Sequence, residues 1–298
     1  MGLTNFPNGI SSFGMPLPSG SIPATTGKFW FVDSVTGSNG NRGDRSDEPL
    51  ATIVKAITLC TAAKGDTILC LPGHTEAVIA AGTIALSKSS VRLIGLGTGR
   101  ARPVITYTTA AAASVDISGA NVLVENMVFS GIGVDALTAM INITAADVTL
   151  RNCEIEHADA TNQAILGVLT TAAANRLRIE DCAFHGTPHA GTVAAIRIVG
   201  GDDHVISRNT CIGDYITTLG VIDNVTTACR NVFIEGNKIF NRTASSAVAM
   251  TFVATSDGMI SRNYMQVLTG TAPIVGANMS WVGGNYYAAT DATAGTLI

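Results

Sequence analysis

The chain has 298 residues, of which 47% are hydrophobic and 13% are charged, and its formal net charge is −4. This charge offers no basic patch for nucleic acid, and no apolar run is long enough to cross a bilayer, so we expect neither nucleic acid nor membrane as a partner. Abundant glycine (31 residues) and scarce proline (9) favour stacked sheets over helices.

Residues 1–27 contain many turn-forming residues and show no periodicity, which predicts an extended N-terminal arm. The arm also carries apolar side chains that a solvated tail would not favour: Phe6, Ile10, Phe13, Met15 and Leu17. Two interpretations stay open. The arm is either an unattached terminus, or a segment that lies along a neighbouring copy or a partner surface and binds it through these five residues.

Residues 28–298 form the second predicted unit, and its first element is a helix near residues 50–63. Leu50, Ile53, Ile57 and Cys60 recur at helical spacing, and the preceding Asp-Glu-Pro supplies start signals. A solenoid needs a cap over its exposed first strands. We therefore expect this helix to close the N-terminal opening.

One short pattern recurs from about residue 120 to the C-terminus: alternating apolar residues followed by Asn or Asp. The Asn or Asp of each repeat gives a predicted structural column: Asn126, Asn152, Asp181, Asn209, Asn237, Asn263 and Asn285. These positions advance by 26, 29, 28, 28, 26 and 22 residues. Such a period, with alternation inside each unit, predicts about three short strands per coil.

The repeat therefore predicts an all-β fold, a single right-handed parallel β-helix. A short strand cannot bury its inward face alone, so coils stack about 4.8 Å apart and equivalent side chains form ladders. The Asn column is the predicted amide ladder. The third residue after it predicts an inward apolar ladder: Phe129, Ile155, Phe184, Ile212 and Phe240. The residue before it predicts a charge-alternating outer column: Glu125, Arg151, Glu180, Arg208, Gly236 and Arg262.

Few residues in these coils suggest catalysis. Glu154, Glu156, His157 and Asp159 form a polar patch, to which His185 and His189 of the next coil are candidate neighbours. Asp203 belongs to the densest acidic spot. If the protein were an enzyme, the catalytic candidates would be Glu156, His157 and Asp203. The favoured interpretation is a set of polar turns. The six scattered cysteines are predicted to be buried free thiols, and we expect neither a metal nor a cofactor.

Two stretches resemble known families. Gly43, Pro49-Leu50-Ala-Thr52-Ile53 and Lys64-Gly65-Asp66-Thr67-Ile68, closed by Pro72-Gly73, resemble the N-terminal segment of pectate-lyase-like β-helix proteins. Those proteins include polysaccharide lyases, hydrolases and phage tailspikes. The opening residues, followed by Phe29-Trp-Phe-Val-Asp33, resemble virion proteins of tailed bacteriophages that carry a β-helix. One solenoid hosts all of these roles, so the fold does not choose among them.

The phage resemblance implies a non-enzymatic virion protein that decorates and stabilises the capsid. It implies synthesis in the host cytoplasm, a place on the capsid surface rather than the tail, and contact with the major capsid protein or other virion proteins. A homo-oligomer, dimer or trimer, is expected. The alternatives are a tailspike, a polysaccharide-degrading lyase or hydrolase, and a glycan-binding module that takes a host glycan.

Overall fold

The computed structural model describes residues 11–12, 15–16, 27–186, 191–216, 219–243, 248–267, 274–276, 278–289 and 296–297. They form an all-β right-handed parallel β-helix, which confirms the predicted fold class. From Thr67–Cys70 to Tyr286–Ala289, successive strands fall in sheet 1, sheet 2 and sheet 3 in turn, so a complete coil has three strands.

Sheet 1 has ten strands: Phe29–Val32, Thr67–Cys70, Arg92–Gly95, Leu123–Glu125, Thr149–Arg151, Arg178–Glu180, Val205–Ser207, Val232–Glu235, Asp257–Ser261 and Asn278–Val282. Sheet 2 also has ten: Thr75–Val78, Val104–Tyr107, Val128–Ser130, Glu154–Ala158, Ala183–Gly186, Thr210–Gly213, Lys238–Asn241, Tyr264–Val267, Tyr286–Ala289 and Thr296–Leu297. Sheet 3 has eight: Ile84–Leu86, Val115–Ile117, Ile141–Ile143, Leu166–Thr170, Ala194–Ile198, Ile222–Asn224, Met250–Thr251 and Ile274–Val275. All neighbours pair in parallel except the last pair of sheet 2, which is antiparallel.

The core lies between the three sheets because alternate residues of every strand face inward. In sheet 1 the strand register stacks fully buried aliphatic side chains from coil to coil: Ile68, Leu93, Val124, Leu150, Ile179, Ile206, Ile234 and Ile260. Each such burial contributes about 1.5–3 kcal/mol. The ladder therefore stabilises the stack only when neighbouring coils are in register.

The predicted capping helix is confirmed as α1, Ile53–Leu59, which is shorter than residues 50–63. Ile53, Ala56 and Ile57 are buried. The Thr52 hydroxyl accepts a hydrogen bond from the Lys55 N–H at 3.1 Å, and the Glu76 carboxylate accepts one from the Ile53 N–H at 2.6 Å. These acceptors satisfy N–H groups that have no partner inside the helix. A short 3₁₀ helix follows at Gly99–Ala101.

The predicted Asn column divides into two neighbouring columns. Asn126, Asn152 and Asp181 have left-handed backbones, with φ between 51° and 58°, and share their column with Arg208, Gly236, Arg262 and Gly284. Asn209, Asn237, Asn263 and Asn285 occupy the next position inward and are almost completely buried. In the first three coils of the repeat that inner position holds Met127, Cys153 and Cys182. The same residue type thus serves an exposed turn in early coils and a buried ladder in late ones.

This division also corrects the predicted inward ladder. Phe129, Ile155 and Phe184 face the core as expected, but Cys211 and Ile239 continue their column. Ile212 and Phe240 face outward and are half-buried. The predicted charge column changes in the same way, since Ser207 and Ser261 follow Glu180 and Glu235 in register. Arg208 and Arg262 lie one position later, at the left-handed turn.

Ser11–Ser12 pairs antiparallel with Met15–Pro16, and for the predicted arm this backbone pairing is all that is described. Phe6, Ile10, Phe13 and Leu17 lie outside the described residues, as does the Met15 side chain. No helix within the described ranges is both long and apolar enough to traverse a bilayer.

Candidate functional site

The outer face of sheet 2 carries a cluster of ionisable side chains. In strand Glu154–Ala158 the burial pattern alternates, so Glu154 and Glu156 face solvent while Ile155 and His157 face the core. On the next coil, His185 pairs in register with Glu156 and also faces outward. Parallel stacking therefore brings the two carboxylates and the imidazole together on one surface.

Glu154 is at the centre of this cluster. Its Oε1 lies 2.7 Å from His185 Nε2, and its Oε2 accepts a hydrogen bond from Arg102 Nη1 at 3.0 Å. Arg102 Nη2 also donates to the backbone carbonyls of Met127 at 3.1 Å and Asn152 at 2.7 Å. The Arg102 guanidinium thus ties three successive coils together while it neutralises the Glu154 carboxylate.

A shallow cavity of about 480 Å³ lies beside the cluster. Arg100, Arg102, Val104 and Val128 form its walls together with the two glutamates. One ligand atom each from Glu154, Glu156 and His185 lies within 4.8 Å of the other two. Two carboxylates and an imidazole are a donor set that suits Zn²⁺ or Mn²⁺. The Arg102 contact would compete with such a cation for Glu154.

Of the three catalytic candidates from sequence, the structure places only Glu156 in this cluster. The His157 ring is fully buried on the opposite side of the sheet. Its Nε2 lies 2.8 Å from the Tyr215 hydroxyl and its Nδ1 lies 3.3 Å from the Thr192 hydroxyl. Burial, with a smaller effect from His185, lowers the pKa of His157 to about 3. A neutral, enclosed imidazole of this kind is a structural group.

Asp203 occupies a turn between sheets 3 and 1, with a left-handed φ of 63°. Its carboxylate accepts a hydrogen bond from Asn231 Nδ2 at 3.0 Å. Asp159 also belongs to a turn, where it accepts N–H hydrogen bonds from Thr161 at 2.7 Å and Asn162 at 2.8 Å, and these bonds lower its pKa. His189 lies outside the described residues.

Several charged residues elsewhere on the coils pair with a residue of the neighbouring coil. The carboxylate–guanidinium pairs are Glu125–Arg151, Asp147–Arg176, Asp181–Arg208, Arg197–Asp223 and Glu235–Arg262. Four of them are bidentate, with N–O distances between 2.6 and 3.0 Å. The Arg102 cluster differs because it includes a carboxylate, Glu156, for which the described residues supply no partner.

The outer face of sheet 3 holds a second polar run, which no sequence pattern predicts. Asn142 donates to Asp116 at 3.1 Å, and further along the stack Arg197 forms its bidentate pair with Asp223. Asp223 is fully buried and its pKa is raised by burial, an effect that Arg197 partly counteracts. These side chains hydrogen-bond to one another, so we assign them a structural role.

No protein-family model matches the chain. No curated protein is similar to it in sequence. Among solved structures, the GH136 lacto-N-biosidase from Eubacterium ramulus (selenomethionine derivative) is 12% identical, with a TM-score of 0.55 over 88% of this chain and 55% of that chain. A rhamnogalacturonan lyase is 13% identical, with a TM-score of 0.47 over 91% of this chain and 79% of that one.

This chain thus spans little more than half of the lacto-N-biosidase. At such low identity the likeness concerns the fold alone. The protein is a parallel β-helix similar in fold to the GH136 lacto-N-biosidase. Neither neighbour is described as a virion protein.

Proposed function

We propose that the protein is a non-enzymatic structural component of a tailed-phage virion that decorates and stabilises the capsid as a homo-oligomer. The observation that carries this proposal is the pairing of charged side chains between neighbouring coils. Five carboxylate–guanidinium pairs each join one coil to the next. Ionisable groups committed to one another in this way hold register and are not available to act on a substrate.

Short turns support a mechanical role. Between sheets 1 and 2, six successive coils, from Glu125 to Tyr264, turn with only two residues each. The buried amides of Asn209, Asn237 and Asn263 lie in the last three of these turns, and hydrogen bonds link them to one another and to Asn285 in the turn that follows. A stack joined in this way exposes little mobile backbone along this edge to proteases.

The ionisable cluster on sheet 2 argues in the same direction. Glycoside hydrolysis needs a pair of carboxylic groups, one acid and one base or nucleophile. Glu154 is engaged by both Arg102 and His185, which leaves Glu156 as the one carboxylate of the cluster without a partner among the described residues. The surface is therefore better suited to contact than to turnover.

The resemblance of the N-terminal residues to tailed-phage virion proteins supplies the location. In this proposal the arm, through Phe6, Ile10, Phe13, Met15 and Leu17, anchors the β-helix on the major capsid protein or another virion protein. Cryo-electron microscopy of purified particles that carry the protein tests it. Density for the solenoid in capsid-symmetric copies is expected. Density confined to the tail, or absent from the particle, would exclude capsid decoration.

A second experiment tests the arm separately. Purified protein lacking residues 1–27 is added to particles devoid of it, beside the full chain as a control. We expect the full chain to bind and the shortened chain to remain in the supernatant. Equal binding of the two would remove the arm from the proposal and leave the capsid location intact.

One alternative, a polysaccharide-degrading enzyme, would have to act through the Glu154–Glu156–His185 cluster. That function predicts release of reducing ends or unsaturated products from a bacterial surface polysaccharide, abolished by Glu156→Gln and kept by Asp203→Asn. Asp203 is the matched control because it lies in a turn outside the cluster. No release by the unaltered protein would support the non-enzymatic function.

A further inference from the structure

The inner column beside the turns between sheets 1 and 2 carries sulfur on three successive coils, at Met127, Cys153 and Cys182. Each of these residues follows the left-handed turn residue of its coil and is at most 1% exposed. From Asn209 onward the column continues as asparagine. Two of the six cysteines of the chain therefore stack on neighbouring coils, one residue away from the turns.

The two thiols adopt the same pose. Sγ of Cys153 lies 3.4 Å from the Arg151 carbonyl of its own coil, and Sγ of Cys182 lies 3.3 Å from the Glu180 carbonyl. Each Sγ also lies 3.7 Å from an equivalent carbonyl of the preceding coil. Equal poses on parallel coils separate the two sulfurs by about the coil spacing of ~4.8 Å. The two thiols also interact with each other.

This spacing favours one kind of link between the sulfurs. A disulfide needs Cβ atoms about 3.5–4.5 Å apart, which is closer than the ~4.8 Å at which parallel coils hold equivalent positions. A cation between two thiolates needs sulfurs about 4.6 Å apart, because each metal–thiolate bond is about 2.3 Å long. The coil spacing therefore suits a bridging cation better than a sulfur–sulfur bond.

The two thiols select a soft cation that needs few ligands. Met127 does not add a third bond, because its thioether packs towards Gly95 of the preceding coil. Cys211 belongs to the other inward column, where it is in register with Phe184. Zn²⁺ takes about four ligands, and Ca²⁺ and Mg²⁺ take about six or more, mostly oxygens. Thiolates favour Cu⁺, for which two ligands are enough.

We propose that Cys153 and Cys182 bind one cuprous ion as a two-coordinate bridge between their coils. Each thiol releases its proton to solvent as its sulfur–copper bond forms, so copper stays Cu⁺ and the bound unit has one net negative charge. The Arg102 guanidinium donates to the carbonyls of Met127 and Asn152, and its positive charge stabilises a thiolate at Cys153. The bridge lies inside the solenoid, so it goes beyond capsid decoration and does not depend on it.

The reduced full chain is titrated anaerobically with cuprous ion in competition with bathocuproine disulfonate, whose cuprous complex is coloured. We expect one tightly bound ion per chain, which equimolar Zn²⁺ does not displace. Cys153→Ala and Cys182→Ala should each weaken binding by about a hundredfold or more, since the loss of an outer partner of a metal ligand already costs about 10–100-fold. The matched control is Cys229→Ala, which removes a buried cysteine whose counterpart on the next coil is Ser256. This control should keep the affinity.

Two measurements on the unaltered protein do not depend on how the variants fold. X-ray absorption at the copper edge should show two sulfur neighbours. The midpoint of thermal unfolding should rise by about 5 °C or more when free cuprous ion is about a hundredfold above Kd.

Four results would overturn the proposal: no tight binding, a copper shell of nitrogen or oxygen, an equal loss of affinity in Cys229→Ala, or a disulfide between Cys153 and Cys182 formed by dilute peroxide in a chain that does not bind cuprous ion. None of these results bears on where the protein lies in a particle, so the capsid proposal stands or falls separately.

Discussion

Asn237 and Asn263 occupy the same buried position on successive coils, and the Asn263 side-chain oxygen accepts two hydrogen bonds from Asn237. The backbone N–H donates at 2.9 Å and the amide Nδ2 at 3.0 Å. Asn237 receives the same pair of bonds from Asn209 and also donates to the Ile206 carbonyl at 2.9 Å. Each amide thus supplies hydrogen-bond partners to backbone N–H and C=O groups at the turns.

Asn237→Ala is therefore expected to lower the free energy of unfolding by about 3 kcal/mol, because it leaves buried donors and acceptors on both neighbouring coils without partners. The control is Asn152→Gly. Asn152 is exposed, and glycine tolerates its left-handed φ of 51°. The Asn152→Gly variant should lose less than about 1 kcal/mol of unfolding free energy. Urea denaturation of both variants measures the difference, and equal losses would show that the ladder is not energetically special.

His157 gives the fold a predicted sensitivity to acid. Burial lowers the pKa of its imidazole from 6.5 to about 3. Between these two values the unfolded chain binds a proton that the folded chain does not, so the free energy of unfolding falls as the pH falls. From pH 8 to pH 5 this group alone is expected to cost about 2 kcal/mol of stability.

Two variants isolate this contribution in urea denaturation curves across that pH range. His157→Gln removes the titrating group, so its stability should depend on pH less steeply than that of the unaltered protein. Tyr215→Phe removes the hydroxyl that lies 2.8 Å from Nε2 but leaves the imidazole buried. It should lower stability at every pH and keep the slope. A slope unchanged by His157→Gln would assign the acid sensitivity to other groups.

The sequence is sufficient to predict the solenoid, but it does not predict correctly which residues of the later coils face the core and which face outward. The period of the Asn column predicts stacked coils, because a repeated residue with alternating neighbours needs a repeated strand. The sequence predicts a single column because asparagine fits two adjacent positions. It tolerates the left-handed turn at Asn126, and its amide also bridges buried backbone at Asn209.

The residue that follows each Asn or Asp distinguishes the two positions. Met127, Cys153 and Cys182 are apolar and occupy the inner position themselves, so the preceding residue is the exposed turn. Thr210, Lys238 and Tyr264 are polar or amphipathic and already belong to the outer face, so the preceding Asn lies inside. When the identity of this following residue is used to place the column, the sequence predicts that Phe240 faces outward.

Arg102 could not have been found this way. It lies in the turn before a sheet 2 strand and has no counterpart in the next coil, while its carbonyl partners come 25 and 50 residues later in the chain. Arg102→Gln is expected to lower the free energy of unfolding by about 2 kcal/mol, because two carbonyls and the Glu154 carboxylate lose a charged donor.

Arg100→Gln is the matched control for this variant. Arg100 is exposed on the wall of the same cavity and makes no contact with the described residues that would hold a coil. Its unfolding curve in urea should overlay that of the unaltered protein. If Arg102→Gln also overlays it, the guanidinium bridge across three coils contributes nothing measurable to the stack.

The Arg197–Asp223 pair tests how the solenoid tolerates buried charge. Asp223 is fully buried, and Arg197 is 17% exposed in its side chain. Asp223→Asn leaves the guanidinium without its counter-charge and is expected to lower the free energy of unfolding by about 3 kcal/mol.

The double variant Arg197→Met with Asp223→Leu removes both charges and should recover most of that loss, since an apolar pair of similar volume needs no desolvation. Asp181→Asn, which breaks an exposed pair with Arg208, should cost at most about 1 kcal/mol. A double variant as unstable as Asp223→Asn would mean that this pair, unlike the exposed ones, is itself required to hold sheet 3 in register.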